Sequence, residues 1–212
     1  MASPSPAAPV SSSWHVLALG ESITGGGYLP EAERTPWPSL LLPLLPAGSS
    51  VVNVARGGTG LVMTSPDGTP STVDALPKDL ADHPGTNLVL VAAGRNDLHN
   101  RTDSALKAGF RAVDELTADA GAEAWFTTIL PVSASYQYRS ITEAQRLRVN
   151  SWLRATYPDR LVDLDVAMDF RRTGLLPKGY DFGDGFHPNL VGHRLIASAV
   201  AGALAQSGPA AA

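Results

Sequence analysis

The sequence predicts an α/β protein folded as a three-layer α/β/α sandwich, a five-stranded parallel sheet with helices on both faces. Short apolar runs alternate with longer amphipathic stretches along most of the chain. The clearest run, Asn87–Ala93 (NLVLVAA), is continuously apolar, as a strand is when helices cover both faces of its sheet. No internal repeat divides the 212 residues, a length that suits one domain with a full hydrophobic core.

In chain order, residues 1–13 are rich in Ala, Ser and Pro and read as a flexible tail, residues 14–206 as one domain, and residues 207–212 as a second tail. His15–Leu19 (HVLAL) is the first strand and Ser50–Val54 (SVVNV) the second. Asn87–Ala93 is the third, Ala124–Leu130 (AWFTTIL) the fourth and Arg160–Leu164 (RLVDL) a short fifth. Trp37–Leu45 is an apolar helical stretch broken by Pro43. Thr72–Asp82 reads as a short helix. Ser104–Ala120 is strongly periodic, with Ala105, Phe110, Val113 and Leu116 on one side. Ile141–Tyr157 places Leu147, Trp152 and Leu153 on a core face, and Leu190–Gln206 closes the chain.

Composition narrows the function classes. A net charge of -4 offers no attraction to nucleic acid or to an anionic membrane. With no Cys, disulfides, a thiolate nucleophile and Cys-ligated metals are excluded. No apolar run approaches the ~18 residues that span a bilayer, so no integral membrane segment is expected. The first residues lack the basic and apolar regions of a signal peptide. A cytoplasmic protein and an exported one whose leader has been removed both fit. A short self-contained domain suggests a monomer.

In doubly wound sheets, ligands collect at the carboxyl ends of the strands. Gly20-Glu21-Ser22-Ile23-Thr24 follows the first strand, and Asn53-Val54-Ala55-Arg56-Gly57-Gly58 runs out of the second. Gly94-Arg95-Asn96-Asp97 follows the third, and Asp184-Gly185-Phe186-His187-Pro188 precedes the last helix. A serine hydroxyl is a poor nucleophile until a base takes its proton, and an imidazole with a pKa near ~6.5 suits that task. His187 is placed to serve Ser22, and Asp184, three residues earlier, to hold the His187 tautomer. The backbone N–H of Ser22 and of Gly58 and the side-chain amide of Asn96 are candidate donors to an oxyanion.

These residues resemble the blocks of the SGNH (GDSL-type) hydrolase family. Gly20-Glu21-Ser22 is similar to its first block, usually Gly-Asp-Ser, and Gly58 to the glycine of the second. Gly94-x-Asn96-Asp97 is similar to the third block, and Asp184-x-x-His187 before Pro188 to the fifth. The resemblance spans Gly20 to Pro188 in the right order. It implies a flavodoxin-like fold and serine-dependent hydrolysis of a carboxylic ester through an acyl-enzyme on Ser22. It implies no metal and no organic cofactor. There are two departures: Glu21 stands where the family usually has Asp, with one more methylene beside Ser22, and Arg95 puts a cation in the variable position of the third block.

Each segment alone has an ordinary reading: Ser22 as a helix cap, Asn96 and Asp97 as turn residues, Gly57 and Gly58 as a loop. The conjunction is what points to one chemistry. His15, His83, His99 and His193 read as structural or solvent-facing; His193 is the nearest rival to His187 but has no Asp at the same spacing. A metal site from Asp181, Asp184 and His187 lacks a fourth ligand. No dinucleotide or phosphate loop and no Gly-x-Ser-x-Gly elbow is present. The substrate is expected to be a small-molecule ester with a short acyl group, in a pocket walled by the stretches 61–72 and 131–139. Arg95, Met63, Tyr136, Tyr138 and Phe186 are its candidate contacts. Two alternatives use the same residues: acyl transfer to an acceptor other than water, and a silent ligand-binding member permitted by Glu21.

Overall fold

The computed structural model describes residues 13–168 and 173–207. Apart from Ser13 and Ser207, the two expected tails lie outside the described residues. The sheet has five parallel strands: β1 (His15–Gly20), β2 (Ser50–Asn53), β3 (Leu88–Ala92), β4 (Glu123–Thr127) and β5 (Leu161–Val162). Their order is β2-β1-β3-β4-β5, so successive crossovers reverse direction at β1. That reversal opens a crevice at the carboxyl ends of β1 and its neighbours.

Side-chain alternation explains why both faces are covered. Val16 and Ala18 of β1 and Leu88 and Leu90 of β3 pack in one apolar cluster. Leu17, Leu19, Val89 and Val91, which alternate with them, pack in the other. The first cluster is closed by α2 (Trp37–Leu41), α6 (Leu164–Met168) and α7 (Leu190–Ser207), through residues such as Trp37, Leu41, Met168, Ile196 and Val200. The second is closed by α3 (Thr72–Asp82), α4 (Asp103–Asp119) and α5 (Arg139–Thr156), through Leu76, Phe110, Val113 and Val149. The remaining helix, α1 (Ser22–Gly25), is a single turn directly after β1.

Local signals set most helix ends. The Ser71 hydroxyl accepts from the Asp74 N–H at the start of α3, and Thr102 does the same for Ala105 at the start of α4. Pro43 falls where α2 gives way to a 3-10 turn over Leu42–Leu44. Several strands end earlier than the apolar runs suggest: Val54, Ala93 and 128–130 lie beyond the strand ends, although the Val54 and Thr128 N–H groups still donate to Ala18 and Val162. One expectation is overturned in α5. Leu147 is 46% exposed; Leu153 is buried and Trp152 packs against the second cluster as expected, and the rest of the buried face is Thr142, Gln145, Arg146, Val149 and Asn150. Arg146 can lie there because Glu143, Asp165 and the Ile129 carbonyl satisfy its guanidinium. Among the described residues, no helix is long and apolar enough to cross a membrane.

Candidate active site

Gly20 lets β1 and α1 turn closely: a Cβ there would collide with Thr24 Oγ1 and lie 2.6 Å from the Ala92 carbonyl oxygen. The turn presents Ser22, partly exposed, with its Oγ 2.9 Å from His187 Nε2. On the other side of the ring, His187 Nδ1 lies 2.6 Å from Asp184 Oδ2. Asp184 Oδ1 also accepts from the backbone N–H of Phe186 and of His187, each at 2.8 Å. The Asp184–His187 turn thus holds its own carboxylate in place. Burial raises the Asp184 carboxyl, but the His187 N–H, the His187 ring and the Phe186 N–H outweigh it and leave the group below the usual carboxylate range. An ionised Asp184 keeps the proton on Nδ1 and leaves Nε2 free to accept from the Ser22 hydroxyl.

The α7 side is equally tied. Asn189 accepts from the Gly192 N–H at the start of α7 and donates to the Gly179 and Asp181 carbonyls. Asp181 Oδ1 accepts from the Gly183 and Gly185 N–H groups, so it supports the turn. Among the described residues, no group of three or more His, Cys, Asp or Glu is arranged to hold a metal ion.

Two buried carboxyls join the strand ends. Glu21 reaches across to β3 and accepts from the Gly94 N–H at 2.7 Å and the Asn96 N–H at 3.1 Å. Its extra methylene therefore spans to the third strand end, and Ser22 keeps its hydrogen bond to His187. Burial, reinforced by Asp97, pushes the Glu21 carboxyl up to about 8 against the opposing pull of those N–H groups and Arg95. Asp97 accepts from the Leu61 N–H at 2.5 Å and the Val62 N–H at 3.0 Å. A Cβ on Gly60 would collide with that carboxylate. Gly58, at φ 79°, turns the chain just before it. Asn96 donates one amide hydrogen to the Thr59 carbonyl at 2.7 Å, which fixes the amide; its second hydrogen has no hydrogen bond among the described residues.

Beside Asn96 opens a cleft of about 340 Å³. Arg95, Tyr136, Tyr138 and Phe186 line it, joined by His99 and Asn100. Tyr136 packs 5.2 Å from Phe186 and 5.8 Å from Tyr138 between ring centres. Met63 is not among the lining residues, and its carbonyl accepts from the Gly60 N–H. His193 is buried: its Nδ1 accepts from the Trp37 N–H and its Nε2 lies 2.6 Å from the Tyr28 hydroxyl. Burial and His187 push His193 down to about 4, so it stays neutral and structural. Sequence reasoning missed Tyr28. Its hydroxyl donates to the Pro188 carbonyl, and its ring lies 4.2 Å from that of His187, on the side toward His193. Nothing in the Gly25-Gly26-Gly27-Tyr28 run marks that role.

Solved structures with the same fold include an aryl esterase from M. smegmatis, 18% identical, with a TM-score of 0.73 over 92% of this chain and 100% of that one. A carbohydrate acetylesterase from Sinorhizobium meliloti is 15% identical, with a TM-score of 0.74 over 92% and 99%. A member of the lipolytic protein G-D-S-L family from Veillonella parvula is 16% identical, with a TM-score of 0.69 over 89% and 96%. No curated protein sequence matches the chain. The profile of the GDSL-like Lipase/Acylhydrolase family matches residues 18–195, from the middle of β1 into α7, and so takes in every strand end described above. The chain therefore belongs to the GDSL-like Lipase/Acylhydrolase family and is a carboxylic ester hydrolase.

Proposed function

We propose that the chain hydrolyses a short-acyl carboxylic ester through an acyl-enzyme on Ser22. The observation that carries this is the unbroken line from Ser22 Oγ through the His187 ring to Asp184, with links of 2.9 and 2.6 Å. Ser22 Oγ attacks the ester carbonyl while His187 Nε2 takes its proton, and His187 then returns that proton to the leaving alcohol. Water, deprotonated by the same nitrogen, releases the acid and restores the Ser22 hydroxyl. Asp184 holds the tautomer and stabilises the imidazolium. The free amide hydrogen of Asn96 and the N–H groups of Ser22 and Gly58 receive the oxyanion.

The short acyl preference rests on the cleft, where Arg95, Asn96, His99 and Asn100 share the walls with the aromatic rings. A long alkyl chain would have to desolvate those polar groups without pairing them. The fold shared with an aryl esterase and a carbohydrate acetylesterase is in keeping with that preference. The test is hydrolysis of a p-nitrophenyl ester series from acetate to decanoate by the wild type and Ser22→Ala. Activity greatest on the short esters and lost in Ser22→Ala is expected. A decanoate optimum would overturn the acyl preference, and undiminished turnover by Ser22→Ala would overturn the nucleophile.

A further inference from the structure

Arg95 is a buried cation with no hydrogen-bonding partner among the described residues. Its residue is 7% exposed, and none of its three guanidinium nitrogens has a hydrogen bond to another described residue. The contrast with Arg146 is direct: that guanidinium, fully buried, is met by two carboxylates and a carbonyl. A buried charge is normally paired, because taking it out of water is costly. For Arg95, the faces of Phe186 and Tyr136, with ring centres 5.2 and 5.8 Å from Cζ, supply partial compensation. Burial still pushes the guanidinium down to about 10, a value at which it keeps its charge at neutral pH.

Position gives the unmet charge a use. Arg95 sits between Gly94 and Asn96 and forms part of the wall of the open cleft. A second cavity, of about 30 Å³, touches both Arg95 and Glu21, with room for a water or two. Tyr136, half-buried on the connection between β4 and α5, lines the same cleft beside the guanidinium.

We infer that this cleft takes esters carrying an anionic group, a carboxylate foremost, and that Arg95 is the residue that recognises it. The inference rests on the Ser22 ester hydrolysis proposed above and names its substrate class. A planar guanidinium presents paired N–H donors that match a carboxylate, and the flanking rings hold it in one plane.

The test compares two pairs of esters matched in shape and differing in charge. One pair carries the charge on the acyl side: mono-p-nitrophenyl glutarate against its neutral methyl ester. The other carries it on the leaving group: para-acetoxybenzoate against para-acetoxybenzamide. Each is assayed with the wild type, Arg95→Lys, Arg95→Met and Ser22→Ala. The wild type is expected to prefer the anionic member of at least one pair by roughly tenfold or more in kcat/KM. Arg95→Lys should keep part of that ratio, and Arg95→Met should bring it to about one. A wild-type ratio near one in both pairs, with Ser22-dependent hydrolysis of the neutral esters, would overturn the role of Arg95 and leave the esterase reading intact. So would a ratio that survives in Arg95→Met, which would place recognition of the anion on another group. Absence of any Ser22-dependent hydrolysis would overturn both.

Discussion

Asp184 accepts three hydrogen bonds, from two backbone N–H groups and the His187 ring, and is held ionised by them. Asp184→Asn would keep the shape of the turn but offer an N–H to Nδ1, favouring the wrong tautomer. It should lower kcat by about three to four orders of magnitude with little change in KM; equal kcat for the two proteins would remove Asp184 from the mechanism. Asn96→Ala removes one oxyanion donor and should lower kcat by about 10²- to 10³-fold. Glu21 gives a prediction in pH. Its carboxyl is raised above its unfolded value toward about 8, so the native state binds the extra proton between roughly pH 4.5 and 8. Stability falls with rising pH wherever the native state holds more protons than the unfolded state. The Tm of Glu21→Gln minus that of the wild type should therefore increase from pH 5 to pH 8. A difference that stays flat would mean that Glu21 is ionised in the native protein throughout that range.

At the scale of elements, legibility tracked how local the signal is. The stretches 72–82 and 104–120 lie within one residue of α3 and α4, whose ends are set locally by the Ser71 and Thr102 caps. The α1 and α6 turns, four and five residues long, are too short to show a period. In α5 the apolar pattern misled at Leu147. Its buried face is largely polar and satisfied by distant groups, such as Asp165 on Arg146 and the Ile129 backbone on Asn150, and no sequence window contains those partners. The two readings of α5 separate cleanly by denaturant unfolding. Arg146→Met takes the guanidinium away from Glu143 and leaves Asp165 with Arg154, and should cost about 3–5 kcal/mol. Leu147→Ala should stay within about 0.5 kcal/mol, and a larger loss would restore Leu147 to the core.

Across the whole molecule, the parallel doubly wound sheet was legible because both faces of β1 and β3 are apolar, and the crevice follows from the reversal of strand order at β1. That topology explains how Ser22 and His187, 165 positions apart, come within hydrogen-bond reach. The residues that meet there were readable from their types and their places after strands. Tyr28 and the span of Glu21 to the third strand end were not, because their partners, Pro188 and the Gly94 and Asn96 N–H groups, lie across the chain. The central claim is that Ser22 carries the acyl group. The most direct test is to treat the protein with a p-nitrophenyl alkylphosphonate, measure the nitrophenolate released, and map the adduct by mass spectrometry. The account predicts one phosphonyl group per chain, on Ser22, with concurrent loss of esterase activity. An adduct on another residue, or an unlabelled Ser22 in an inactivated enzyme, would contradict it.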